Sequence, residues 1–209
     1  MSVLRVISRS TNKFSLNTKL NKTMSTCKPN INASDIVWMD LEMTGLDINV
    51  DQVLEVACII TDQDLNIKKE GPCFAIKHTQ DVYDNMNDWC KKHHNESGLV
   101  DRCKSSDITP ETAETILLSF LKEHIPERKC PLAGNSVYMD RLFLKKYFPA
   151  TDNYMHYRII DVSTIKELAS RWYPETLNNA PKKKLAHRSL DDIKESISEL
   201  KYYKQHLFK

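Results

Sequence analysis

The run Ile36-Val37-Trp38-Met39-Asp40-Leu41-Glu42 begins with four apolar residues, takes an acid at its fifth and seventh positions, and stops just short of Gly45. So short and apolar a stretch suits a strand buried on both faces, and the glycine breaks it where the acids emerge. A buried strand ending in two carboxylates calls for a sheet with a polar site at that strand's end.

The following segments extend the sheet. Val53–Thr61 is a second strand, and Pro72–His78, after the turn-like stretch Asp64–Gly71, is read as a third. Connections this short favour an antiparallel meander. Helical periodicity then takes over. Thr109-Pro110-Glu111 supplies a cap, a first-turn proline and an acid, and Ala113, Ile116, Leu117, Phe120 and Leu121 follow on one face. Pro131–Asn135 is a short strand before a helix from about Met139 to Tyr147, and Arg158–Asp161 is another before a helix Val162–Arg171. The last helix carries Leu190, Ile193, Ile197, Leu200 and Leu207. Three antiparallel strands followed by β-α units predict an α/β fold, a mixed sheet flanked by helices. The predicted organisation is a basic extension over residues 1–33 and one folded domain over 34–209.

Net charge is only +2, but it is unevenly spread. Residues 1–34 carry six Lys/Arg and no acid, which leaves 24 basic against 28 acidic side chains in the remaining 175. A protein that tracks long nucleic acid shows a broad basic excess, because affinity comes from neutralising many phosphates. This body lacks one, so any nucleic-acid substrate is expected to be short. No apolar run approaches the ~20 residues that cross a bilayer, and Glu55 interrupts even Val53–Ile60, so no membrane partner is expected.

Met1–Asn30 is rich in Ser, Thr and Asn, with scattered apolar residues and isolated Arg/Lys, the composition of a mitochondrial transit peptide. Initiation at Met24 would delete most of the basic segment and leave a cytosolic form. The six cysteines form no C-x-x-C pair, so neither a disulfide nor a zinc partner is expected. Cys90, His93 and His94 lack a fourth ligand at zinc-finger spacing and are read as part of a surface helix.

Asp40 and Glu42, two apart on a strand, point to the same face roughly 7 Å apart at the backbone. Carboxylates so placed repel unless a cation lies between them, and hard oxygen donors suit Mg²⁺ or Mn²⁺ rather than zinc. Acids recur at two other element ends, Asp140 and Asp192. Several carboxylates converging from separate elements are what a two-metal phosphodiesterase requires. His187, with a reference pKa near 6.5, is the candidate base for an attacking water. Helical spacing does not choose between Asp191 and Asp192.

The blocks D-L-E-M-T-G-L-D (40–47), G-N-S-x-x-x-D (134–140), H-Y-R-x-x-D-V-S-T (156–164) and H-R-S-L-D-D-I (187–193) resemble the oligoribonuclease family. These are DEDDh 3′-to-5′ exonucleases of the ribonuclease H-like fold, and the resemblance runs from about residue 35 to 208. It implies that Asp40, Glu42 and Asp192 hold two Mg²⁺ or Mn²⁺ ions, that Asp140 completes the cluster directly or through water, and that His187 acts on the nucleophilic water. The His-x4-Asp pattern selects Asp192 over Asp191. The resemblance also implies a homodimer that trims short RNA, down to dinucleotides, to 5′-mononucleotides. Leu46 would wedge between two bases and Trp89 would stack on or flank one of them. Ser136, Tyr157, Arg158 and Ser163 would cap the 5′ phosphate, with His94 joining them and with Tyr157 and Arg158 coming from the other subunit. Two features depart from the pattern: Met139, where relatives often carry Gln or Glu, and the basic loop Lys182–Lys184. A related exonuclease acting on DNA 3′ ends and a catalytically silent RNA-end-binding module are the competing readings.

Overall fold

The computed structural model describes residues 31–182 and 189–208. Along the chain come β1 (Ile36–Met43), β2 (Val53–Thr61), β3 (Ile67–Ala75), α1 (Gln80–Asp84), α2 (Asp88–Glu96), α3 (Leu99–Ser105) and α4 (Pro110–His124). They are followed by β4 (Leu132–Gly134), α5 (Tyr138–Tyr147), α6 (Pro149–Tyr154), β5 (Ile159–Asp161), α7 (Val162–Trp172), α8 (Pro174–Asn178) and α9 (Ser189–His206). The strands form one sheet in the order β3-β2-β1-β4-β5. The β1-β2 and β2-β3 pairs are antiparallel, and the β1-β4 and β4-β5 pairs are parallel. This is the mixed sheet predicted, with β1 at its centre.

The alternation of side chains along β1 divides the core. Val37, Met39 and Leu41 join Val56, Cys58 and Ile60 of β2 under α4 and α5, where Leu117, Leu121, Phe143 and Leu144 close the layer. Ile36 and Trp38 point the other way, with Ala57 and Ile59, into a layer sealed by Val162 and Ala169 of α7 and Ile193, Ile197 and Tyr203 of α9. Trp38 is fully buried, and its indole N–H donates to Thr61 Oγ1 at 3.0 Å, so this buried donor is satisfied. Asp40 and Glu42 continue the Ile36–Trp38 face, which is why α9 is the helix that reaches them.

One strand sits differently from its prediction. The third runs from Ile67 to Ala75, whereas the sequence pattern predicts Pro72–His78. Asp62 closes the preceding turn early, its carboxylate accepting from the amides of Asp64 and Asn66, with Leu65 at φ 68°. The strand then starts at once with Ile67-Lys68-Lys69-Glu70, and because β3 is an edge strand these residues stay exposed and give no apolar signal.

α4 begins as predicted, with Thr109 as N-cap accepting from the Thr112 amide and Pro110 at its first position. Helices α1, α2 and α3 form a small layer of their own through Tyr83, Met86, Cys90, Leu99, Val100 and Cys103, packed on Leu54. Cys90 and His94 do lie on a helix, but they are buried and do not belong to a surface face.

Candidate active site

β4 is only three residues long, and its end shapes the site. On the edge of β1 that faces β4, Val37 N–H still finds Pro131 O at 3.0 Å. Further along, past Gly134, Leu41 N–H has no strand to pair with and donates instead to Asp140 Oδ1 at 2.9 Å. Asp140 lies in the first turn of α5 and is buried. Its acid therefore replaces a missing strand and stands behind the Asp40–Glu42 edge.

On the opposite face, donor oxygens of Asp40, Glu42 and Asp192 all lie within 4.8 Å of one another. Two residues of one strand and one from the first turn of the helix above them meet at a point. Asp191 is directed away, exposed on the wall of a neighbouring cleft. Burial pushes Glu42 up to about 8, and the carboxylates of Glu55, Asp192 and Asp140 push in the same direction. Burial likewise raises Asp140, opposed by the hydrogen bond from Leu41. Three crowded carboxylates, one of them holding its proton well above the usual range, form a donor set that fits hard divalent cations.

Glu42 also floors a cleft of about 440 Å³ lined by Leu41, Met43, Gly45, Leu46, Asn87, Trp89, Cys90 and His94. Leu46 and Trp89 are 67% and 57% exposed at its rim, too open for core packing. The loop that carries Leu46 is held tightly. Asp51 accepts from the Thr44 hydroxyl at 2.7 Å and the Asp47 amide at 2.9 Å, while Tyr147 and Lys146 of α5 donate to carbonyls at Asp51, Ile48 and Asn49. His94 Nε2 bonds Met43 O at 2.8 Å, with Nδ1 4.0 Å from Glu42. It thus belongs to this cleft, beside the acids.

The predicted phosphate-cap residues fall into two groups. Ser136 and Ser163 follow the ends of the parallel strands β4 and β5. Ser136 takes φ 51°, so that its amide donates to Asp161 Oδ1 and Ser163 Oγ, each at 2.9 Å, and the two hydroxyls sit 3.1 Å apart. Asp161 also caps α7 by accepting from Ser163 N. Tyr157 and Arg158 form the other group. Tyr157 is 74% exposed, stacks on His156 at 4.5 Å, and has the Arg158 guanidinium 5.2 Å from its ring. His187 and Lys183–Lys184 lie outside the described residues.

Glu55, which in the sequence only interrupts an apolar run, also belongs beside the site. It is buried on β2 directly across from Glu42 and bonded to Arg102 and Ser189. A lone charge inside an otherwise apolar strand was the available signal.

A central strand bearing paired acids, a third from a C-terminal helix and a fourth behind the strand edge define a class. Residues 37–200 match the Exonuclease family model, RNase_T. The chain is 69% identical over 176 residues to a "Probable oligoribonuclease" of Drosophila melanogaster, covering 84% of this chain and 83% of that one. It is 56% identical over 177 residues to "Oligoribonuclease, mitochondrial" of Homo sapiens (85% and 75% covered) and 52% over 178 residues to the "Oligoribonuclease" of Colwellia psychrerythraea (85% and 98%). The chain belongs to the oligoribonuclease family of exonucleases, and as a member it is a metal-dependent 3′-to-5′ exoribonuclease. The fold is shared more widely. E. coli exonuclease I in complex with a 5cy-dA13 oligonucleotide superposes with a TM-score of 0.63 at 16% identity, over 83% of this chain and 41% of that one. This chain thus spans about two fifths of exonuclease I.

Proposed function

We propose that the protein degrades very short RNA, dinucleotides included, to 5′-mononucleotides by two-metal hydrolysis, as a homodimer. The observation that carries this reading is that Glu42 is shared: it belongs to the acid cluster and to the floor of the Leu46–Trp89 cleft. A phosphodiester held at the acids therefore places its bases against exposed apolar and aromatic side chains, which grip bases without reading their sequence. The cleft has room for few nucleotides.

Asp40, Glu42 and Asp192 hold the ions, Mg²⁺ or Mn²⁺, with Asp140 completing the set directly or through water. When bound, the two ions supply the positive charge that offsets the charge building on the phosphodiester as it is cleaved. His187, five residues before Asp192, takes the proton of the attacking water; that oxygen bonds phosphorus, the P–O3′ bond breaks, the O3′ of the shortened chain takes up a proton from solvent, and a 5′-mononucleotide leaves. Leu46 wedges between the two bases and Trp89 stacks on or flanks one. Ser136 and Ser163, joined by Tyr157 and Arg158 from the second subunit and by His94, close over the 5′ phosphate. A closed 5′ end gives the preference for short chains a mechanical cause. The body with 24 basic against 28 acidic residues supports it, since it has no track for a long polyanion.

Rates on RNA and DNA substrates of two to about ten nucleotides test this reading, a range that brackets a site for few bases. Turnover should be highest on dinucleotide RNA, fall with length, and disappear with EDTA. Rates that rise with length, or a preference for DNA, would replace the short-RNA reading with that of a general 3′ exonuclease.

Residues 1–30, outside the described region, are proposed to direct the protein to mitochondria, with a cytosolic form starting at Met24. Support comes from the basic, acid-free composition and from the mitochondrial designation of the human relative. A reporter carrying residues 1–30 should enter mitochondria, and diffuse cytosolic signal would count against the targeting role.

A further inference from the structure

Glu55 is an unusual residue for its place. All nine residues of β2 are buried, and Glu55, 4% exposed, is the one with a carboxylate. It pairs with Glu42 across the antiparallel β1-β2 ladder, so the two side chains rise from the same face of the sheet. It is not among the three acids whose oxygens converge. A buried carboxylate beside others persists only where its own oxygens are bonded. Both are. Oε1 accepts from Arg102 of α3 at 2.7 Å, and Oε2 accepts from the hydroxyl of Ser189 at 2.9 Å.

Ser189 is the first residue of α9 and is 1% exposed. It lies three residues before Asp192, so the two share one side of the helix, a turn apart. Ile193 and Ile197 hold α9 to the sheet through apolar packing, which has little directional preference. A buried hydrogen bond adds the direction that such packing lacks. We infer that Glu55 is a positioning residue that ties the first turn of α9 to β2 and so sets where Asp192 meets Asp40 and Glu42. Arg102 holds the other oxygen of Glu55 and offsets part of the charge that this further carboxylate adds beside the cluster. This assignment rests on the reading of Asp192 as a metal-holding acid.

Ser189→Ala removes the clamp's hydrogen bond while leaving every metal-holding acid in place. Mn²⁺ binding, measured by calorimetry with the metal alone, should weaken about tenfold and kcat on a dinucleotide should fall by about the same factor, with KM nearly unchanged, as expected for one lost hydrogen bond to a charged group. Ser189→Thr, which keeps the hydroxyl, should restore both. If Ser189→Ala lowers only the unfolding midpoint, with Mn²⁺ affinity and kcat at the parent's values, Glu55 is a plain core contact and the inference fails. It fails equally if Ser189→Thr behaves like Ser189→Ala. Asp192→Asn, run alongside, separates the two ideas. Intact Mn²⁺ affinity in that variant overturns the metal-holding reading itself, whereas loss there with no effect of Ser189→Ala overturns the clamp alone.

Discussion

Asp40→Asn should cut dinucleotide turnover by at least about a thousandfold, since offsetting charge at a cleaved phosphodiester contributes several kcal/mol and each 1.36 kcal/mol is about a factor of ten. The folded state should not suffer. The amide keeps the shape of the carboxylate beside Glu42 and Asp192, so the unfolding midpoint of the metal-free protein should stay near the parent's. Substantial residual activity in a folded Asp40→Asn protein would remove the acid cluster from the mechanism. The same position tests the dimer. Mixed with Tyr157→Ala, an Asp40→Ala subunit should regain up to about a quarter of parental activity, the statistical share of intact sites in a two-fold dimer whose Tyr157 acts across the interface. Stable heterodimers without recovery would place Tyr157 in its own subunit's site.

A comparably large effect is expected from pH on metal binding. Burial, followed by Glu55, Asp192 and Asp140, raises Glu42 from 4.5 to about 8 in the metal-free fold. Across this window the folded chain keeps a proton that the unfolded chain has released. The sign of the linkage follows: without metal, stability falls as pH rises from about 5 to about 8. A cation must displace that proton, so its affinity should rise about tenfold per pH unit over the same window and level off above it. Mn²⁺ titrations at several pH values between about 5.5 and 9 read the slope directly. Glu42→Gln should flatten it. Affinity independent of pH across that range would show that Glu42 is already ionised before the metal arrives, against the environment of three neighbouring carboxylates.

Much of the architecture is legible along the chain, because burial period and turn chemistry are local properties. Ile36–Glu42 and Val53–Thr61 read as strands since both are buried, and α4 announces itself through Thr109 and Pro110. β3 does not, because an edge strand needs no apolar face, and Asp62 forms its turn earlier than glycine and proline suggest. Helices α1 and α3 escape for the same kind of reason, and α2 is legible only as a surface helix around Cys90 and His94: each is short, with its apolar residues spread over a small separate layer.

The acids follow the same division. That Asp40 and Glu42 share a face is a consequence of strand periodicity, visible without coordinates. Spacing along the helix does not separate Asp192 from Asp191, and only the family resemblance prefers Asp192; the packed helix carries Asp192 to the acids while Asp191 stays on an exposed wall. Tertiary structure alone decided the rest. It placed Asp140 under an amide that β4 is too short to pair, and it buried His94 beside Glu42 in place of a surface helix. It also turned Glu55 from an interruption in an apolar run into the partner of Ser189 at the start of α9. Such roles depend on which groups from distant segments meet in a low-dielectric interior, and no pattern of neighbours along one chain carries that information.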